Sequence, residues 1–323
     1  MTHQLNTIRI ATRKSELAMW QANYVRDRLL NQYPHLHIEI MPMITSGDKL
    51  SQFGNAANLD LAQESTKGLF VKELELALLE RRADIAVHSI KDMPAILPNN
   101  LGLHCVCERE DPRDAFIANN YPNINSMPDN AIIGTSSLRR SAQIKHHYPH
   151  LLIKQLRGNV NTRLAKLDAG EYDAIILAAA GLKRLQMHNR ITDYLNTDIC
   201  LNAPAQGAVG VECLNSNQQL IDLLKPLNHF TTYLAITAER ALNRQLNGGC
   251  RAPIAAYASF EESNNNQILK MQALVADPDG KQIIKTQQQI LISKDFDKAT
   301  ESATKLGENV ATELINQRAT KFL

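Results

Sequence analysis

A parallel α/β architecture followed by a smaller α+β domain is the fold class predicted for this chain, and three observations predict it. Over the first two thirds, apolar residues alternate between strand-like and helix-like periods. After Asn228 the pattern changes to one long helix, three turn-linked strands and a terminal helix. The 323 residues, 44% hydrophobic and 21% charged, describe a globular chain too long for one simple core and long enough for two or three domains.

Ile8 to Thr12 reads as a strand, Glu16 to Gln32 as a helix and His37 to Thr45 as a second strand. Between Ser46 and Thr66 lies a polar stretch with no sustained period, of a length that in compact domains is usually a functional lid or disordered. Leu69 to Arg82 has helical spacing, and Asp84 to Ile90 follows as a strand. The alternation restarts with A-I-I-G-T-S, a helix from about Leu138, the strand L-L-I-K-Q-L, a helix from about Val160 and the strand D-A-I-I-L-A. Such β-α-β succession implies parallel sheets with helices on both faces. The last part reads as a helix to about Leu246, strands around A-P-I-A-A-Y-A-S-F, Ile268 to Ala276 and Gln282 to Ile292, and a helix from about Phe296. There is no internal repeat of fixed period and no low-complexity tract.

Composition excludes several classes. A net charge of +2 does not suit a general polyanion binder, so no nucleic-acid partner is expected, and no helix-turn-helix is recognisable at the N-terminus. The most apolar run, Ala174 to Leu182, is far too short to span a bilayer, and M-T-H-Q-L-N-T-I-R-I lacks a signal-peptide pattern. A cytoplasmic location with no membrane contact is therefore expected. Cys105, Cys107, Cys200, Cys213 and Cys250 are an odd count at irregular spacing, which suits a reducing compartment rather than a disulfide framework. No metal site is expected: His104 faces away from Cys105 and Cys107, and no second ligand pair follows. His146 and His147 are expected to face solvent.

Charge is unevenly spread. Ala131 to Arg190 holds ten Lys and Arg against three acids, so one segment is basic inside a neutral protein. Three strand-to-helix junctions, A-T-R-K-S, G-T-S-S-L-R-R and L-R-G-N-V-N-T-R, place hydroxyl, amide and guanidinium groups beside helix N-termini. Any one of them alone is ordinary N-capping. Together they carry Arg13, Arg139, Arg140, Arg157 and Arg163, which points to a ligand with several carboxylates or phosphates. In H-S-I-K-D-M-P, Lys91 and Asp92 stand just past a buried-looking strand. Asp92 is either a turn residue or an acid set to hold a cationic group or move a proton. In N-G-G-C-R-A-P, Cys250 lies on permissive backbone after a long helix, an unusual place for a structural thiol. E-R-E-D-P-R-D, Glu108 to Asp114, reads as a charged turn between domains, with hinge duty open. These residues alone leave open a non-catalytic anion- or polycarboxylate-binding protein, which would need the arginines but neither Cys250 nor Asp92.

With these motifs assembled, the chain resembles the porphobilinogen deaminase (hydroxymethylbilane synthase) family. The matching stretches run from I-R-I-A-T-R-K-S through K-G-L-F-V-K-E-L-E, D-I-A-V-H-S-I-K-D-M-P, E-R-E-D-P-R-D-A-F, G-T-S-S-L-R-R, L-R-G-N-V-N-T-R, Y-D-A-I-I-L-A-A-A-G-L-K-R and Q-G-A-V-G-V-E-C to N-G-G-C. The resemblance implies a transferase that condenses porphobilinogen, with loss of ammonia, into the linear tetrapyrrole hydroxymethylbilane. It implies a dipyrromethane cofactor held by a thioether to Cys250, and a thiolate is well suited to trapping an electrophilic methylene-pyrrole. Asp92 would be the catalytic aspartate. Lys91, Ser137, Arg139, Arg140 and Arg163 would hold the cofactor, and Arg13, Ser15, Arg157, Arg163, Arg184, Lys67 and Gln206 the substrate and the growing pyrrole chain. The implied fold is two α/β domains, similar to those of periplasmic solute-binding proteins, flanking a cleft, plus a smaller α+β domain. Its expected boundaries are 1–107, 108–207, a return segment 208–226 and 227–323, in a monomer. The chain departs from the family pattern at Gln63 to Thr66, where a glycine pair and an upstream lysine are usual. It departs again at Glu16, Ala205 and Arg251-Ala252, which bears on lid mobility and on packing of the cysteine loop.

Overall fold

The computed structural model describes residues 6–47, 70–248, 252–263 and 266–323. Lys67, Cys250, Arg251 and nearly all of the 46–66 stretch lie outside the described residues.

The chain divides into two compact units, 1–109 with 208–233, and 110–207 with 234–323. In the first, β1 (Thr7–Arg13), β2 (His37–Met43), β3 (Ile85–Ser89), β4 (Leu101–Val106) and β10 (Val209–Leu214) form one sheet in the order β2-β1-β3-β10-β4. Helices α1 (Glu16–Gln32), α2 (Lys72–Leu79) and α6 (Gln218–Leu224) belong to the same unit. Ile8, Ile10, Val25, Leu29, Val87 and Val211 are in a core that α1 and α6 cover, while Ala11, Leu74, Leu78 and Ala86 build another with α2.

The second unit contains a sheet of β5 (Asp114–Ala118), β6 (Ile132–Gly134), β7 (Leu152–Lys154), β8 (Ala174–Ala178) and β9 (Asp193–Tyr194), in the order β7-β6-β8-β5-β9. Its helices are α3 (Leu138–His147), α4 (Val160–Asp168) and α5 (Ala179–Arg184). Neither five-stranded sheet is all-parallel, contrary to the expectation from periodicity. β10 runs antiparallel to β3 and β4, and β5 runs antiparallel to β8 and β9. Each antiparallel strand is the first one formed after the chain passes from one unit to the other. The two sheets thus share one strand order without any sequence repeat.

The second unit also holds the smaller sheet, β11 (Ile254–Ser263), β12 (Asn266–Ala276) and β13 (Ile283–Ile292), an antiparallel meander. Helix α7 (Phe230–Gln245) leads into it, and α8 (Phe296–Asn316) packs on β12 and β13. At Gly307 a Cβ would meet the Ala238 carbonyl of α7, so glycine is what lets α8 approach so closely. Ala142 and Leu201 share a core with Ala255, Leu274 and Ala276, and the D-P-D-G turn reaches α3, where His146 Nδ1 lies 2.9 Å from the Gly280 carbonyl oxygen. Both His146 and His147 are exposed.

Candidate functional site

In the first unit, β1 ends at Arg13 and hands the chain to α1 through Ser15, whose Oγ accepts from the Ala18 amide at 3.4 Å. β3 ends in a single 3-10 turn, Ile90–Asp92, which places Lys91 and Asp92 at the carboxyl end of a parallel strand, where open α/β sheets bind ligands. These two ends converge. Arg13, Ser15, Gln21, Phe70, His88 and Asp92 line one pocket. The Arg13 guanidinium sits 4.2 Å from the centroid of the Phe70 ring, and Gln21 Nε2 donates to Ser89 Oγ at 2.7 Å. Among the described residues no hydrogen bond or ion pair engages the half-buried Asp92 carboxylate. It is an acceptor poised for a donor that the described residues do not supply.

In the second unit the two basic junctions are tied together. Ser136 Oγ donates to the Leu156 carbonyl and accepts from its amide, at 2.9 and 3.1 Å, while Ser137 caps α3. Gly158 has φ +115°, which frees the backbone to turn into the Asn159 cap of α4, and Arg163 Nε donates back to the Gly158 carbonyl at 2.8 Å. Arg157 is exposed. Arg139 and Arg140 behave differently: they are 4% and 6% exposed and clasp the fully buried Asp114. Arg140 donates Nε and Nη2 to Asp114 Oδ1 at 3.0 and 2.7 Å and Nη1 to the Ile176 carbonyl. Arg139 Nη1 donates to Asp114 Oδ2 at 2.8 Å and to the Leu201 carbonyl, but its Nε is buried without an acceptor. Burial by itself would raise the Asp114 carboxyl, yet Arg139 and Arg140 outweigh it and hold the group well below the usual carboxylate range.

Three expected ligand contacts are therefore turned inward. Arg140 is committed to Asp114, and Gln206 donates Nε2 to the Pro112 carbonyl and Asp114 Oδ1 at 2.7 and 2.9 Å. Arg184 likewise donates to the Gly207 carbonyl at 2.6 Å. The reason is Asp114, which opens β5 with no exposure instead of lying in a charged turn. Gln21, Phe70 and His88 were missed as pocket residues: Gln21 follows the Ser15 cap by six residues, which is off its i+3, i+4, i+7 face, so helical periodicity does not reach it, and no pattern reaches Phe70.

The thiols sort by burial. Cys105, Cys107, Cys200 and Cys213 are free and buried. Burial, then Asp114, pushes Cys200 up to about 12, and burial, then Glu212, does the same to Cys213. A hydrogen bond with Cys107, then burial, holds Cys105 well above its ordinary value. None of these three is poised as a thiolate at neutral pH. Cys250 lies outside the described residues, but its approach is well defined: α7 stops with Asn247 at φ +50°, and the Gly248 amide donates to the Asn243 carbonyl at 2.9 Å. A Cβ on Gly248 would meet the Asn243 and Ile254 side chains.

Fold and side chains together define a multidomain α/β protein with an acidic pocket in one unit and basic helix-start junctions in the other. The family description "Porphobilinogen deaminase, dipyromethane cofactor binding domain" matches residues 8–222, and "Porphobilinogen deaminase, C-terminal domain" matches 233–316. The chain belongs to the porphobilinogen deaminase family. Among solved structures it is similar to a putative methionine-binding lipoprotein from Bacillus subtilis, with 11% identity, 69% of this chain and 90% of that one covered, and a TM-score of 0.43. The methionine-binding protein MetQ matches with 12% identity, 76% and 96% coverage and a TM-score of 0.42. The BvgS VFT2 domain of Bordetella pertussis matches with 12% identity, 74% and 93% coverage and a TM-score of 0.42.

The residues present fit the dipyrromethane that the family name carries. Such a group offers pyrrole N-H donors and carboxylates. Within the first unit, the Asp92 carboxylate suits the donors and the Arg13 guanidinium beside it in the same pocket suits the carboxylates.

Proposed function

We propose that this transferase condenses porphobilinogen units, releasing one ammonia for each, into hydroxymethylbilane. The observation that carries the reading is Asp92: a carboxylate without a partner among the described residues, lining a pocket with Arg13, in a chain of this family. Dipyrromethane, when bound, supplies the pyrrole carbon from which the product chain is built, and the Cys250 thiol is its attachment point.

The chain's own residues divide the work. Asp92 accepts a pyrrole N-H at its carboxylate oxygens and stabilises positive charge that develops as the aminomethyl group loses ammonia. Arg13, Ser15 and Lys91 are proposed to bind acetate and propionate groups in the first unit; Ser137, Arg157, Arg163 and the Nε of Arg139 are proposed to bind such carboxylates in the second. Arg140, Arg184 and Gln206 act one step back, holding the α3 start and the Gly207 turn in place. Lys67 is proposed as a further cation for the substrate. Among the described residues no helix is long and apolar enough to cross a membrane. A monomer at work in the cytoplasm completes the proposal.

Incubation of the purified protein with porphobilinogen tests this. One ammonia should appear for each porphobilinogen consumed, and Asp92→Ala should keep its thermal melting profile while turnover falls by about a hundredfold or more. Near-normal turnover in that variant would move the role away from Asp92.

A further inference from the structure

Beside the Asp92 pocket, β3, β10 and α2 bring together three titratable side chains that the reaction as described does not use: His88 and Glu212, both buried, and the half-buried Glu75. His88 Nε2 lies 2.9 Å from Glu212 Oε2, and the two side chains are 5% and 0% exposed. The Glu212 Oε1 and Glu75 Oε1 atoms are buried with no hydrogen-bond partner among the described residues. The other imidazole nitrogen, Nδ1, makes no hydrogen bond among the described residues, and the ring lines the pocket together with Asp92. Glu212 comes from β10, Glu75 from α2, and Asp92 and Arg13 from the pocket wall; α1 contributes the uncharged Gln21.

Two carboxylates cannot stay ionised beside one imidazole in such a place without uncompensated buried charge. Burial, then the Glu212 carboxylate, pushes the Glu75 carboxyl up to about 7, against a pull from His88. The cluster therefore keeps a proton that can be exchanged near neutral pH. An imidazole held at one nitrogen by a carboxylate has its other nitrogen oriented for proton transfer.

We propose that His88, oriented by Glu212 and backed by Glu75, is a second proton-transfer group of the porphobilinogen pocket, working beside Asp92. The proposal rests on reading that pocket as the condensation site. In each condensation the C-N bond of the protonated aminomethyl group breaks, and its electron pair leaves with nitrogen as ammonia. A C-C bond forms to a pyrrole α-carbon, which then gives up its proton. His88 takes that proton at Nδ1, Glu212 balances the imidazolium charge, and the departing ammonia removes the proton as ammonium.

The test is a nitrogen NMR titration of isotope-labelled histidine in the holoenzyme, from about pH 5 to about pH 9. His88→Gln assigns the signal, and Glu75→Gln serves as the coupled variant. Neutral His88 should be the Nε2-H tautomer, and Glu75→Gln, which leaves the Glu212 contact in place, should keep it so. His88→Gln should lower kcat by about tenfold or more with KM little changed. A His88 that is protonated at Nδ1 when neutral overturns the proposal, as does wild-type kcat in His88→Gln. Should His88→Gln fail to fold, the wild-type tautomer decides: an Nδ1-H histidine at the Glu212 contact refutes the proposal. If the wild type releases no ammonia from porphobilinogen, the parent reading fails; if it does and these results are negative, this proposal alone fails.

Discussion

At the scale of single residues, Asp114 shows how one buried carboxylate redirects side chains that look ligand-facing in the sequence. Two guanidinium groups and an amide close on it, so arginines in G-T-S-S-L-R-R serve the interior. No pattern in E-R-E-D-P-R-D distinguishes the last aspartate from its neighbours, because burial is decided by a strand pairing distant in sequence, Asp114 with Ala178. Asp114→Asn should destabilise the protein by about 3–5 kcal/mol in denaturant titration, since it leaves two buried cations underbalanced. The sign with pH follows from the lowered carboxyl: its contribution is fully present above about pH 4 and is lost as pH falls through the depressed native value. Asp114→Asn should therefore flatten the acid limb of the stability curve. Asp92 differs in that its place just past a strand end, expected from H-S-I-K-D-M-P, is where the 3-10 turn Ile90–Asp92 sets it.

At the scale of elements, periodicity located most of the helices. α1 is Glu16–Gln32 as expected, α3 starts at Leu138 and α4 at Val160, because Ser15, Ser137 and Asn159 cap them in the ordinary way. Strand direction was not legible. β5 and β10 carry apolar runs that suit any buried strand, and only the chain's passage between units makes them antiparallel. β10 also brings Glu212 beside His88 and Glu75, so the same unreadable pairing creates the buried acid cluster. Its pH behaviour has the opposite sign to that of Asp114. A carboxyl raised to about 7 binds its proton more tightly in the folded state, so stability declines as pH rises from the ordinary carboxyl range through about 7. Glu75→Gln should remove that decline and raise the melting temperature at mildly alkaline pH. A wild-type melting temperature that does not fall between about pH 5 and about pH 8 would contradict the assignment.

At the scale of the whole molecule, two sheets of identical strand order carry different chemistry, an acid pocket in one and capped basic junctions in the other. The smaller sheet packs with the second of these through α3 and the D-P-D-G turn. Gly280, at φ +76°, would set a Cβ 2.9 Å from the Ala142 carbonyl and the His146 amide, so Gly280→Ala should cost about 1–3 kcal/mol in unfolding by urea. An unchanged midpoint would mean that this turn is not seated as described. Four of the five cysteines are buried with raised or hydrogen-bonded thiols, which leaves Cys250 as the sulfur on which the account depends. In the sequence the thiol stands out from N-G-G-C because a helix stop and two glycines are poor surroundings for a core residue, while Cys250 itself lies outside the described residues. Intact-mass spectrometry of the denatured protein tests that dependence most directly. The account predicts an added mass of two linked pyrrole units on the wild-type chain and none on Cys250→Ser; a fully active wild-type chain without any adduct would contradict it.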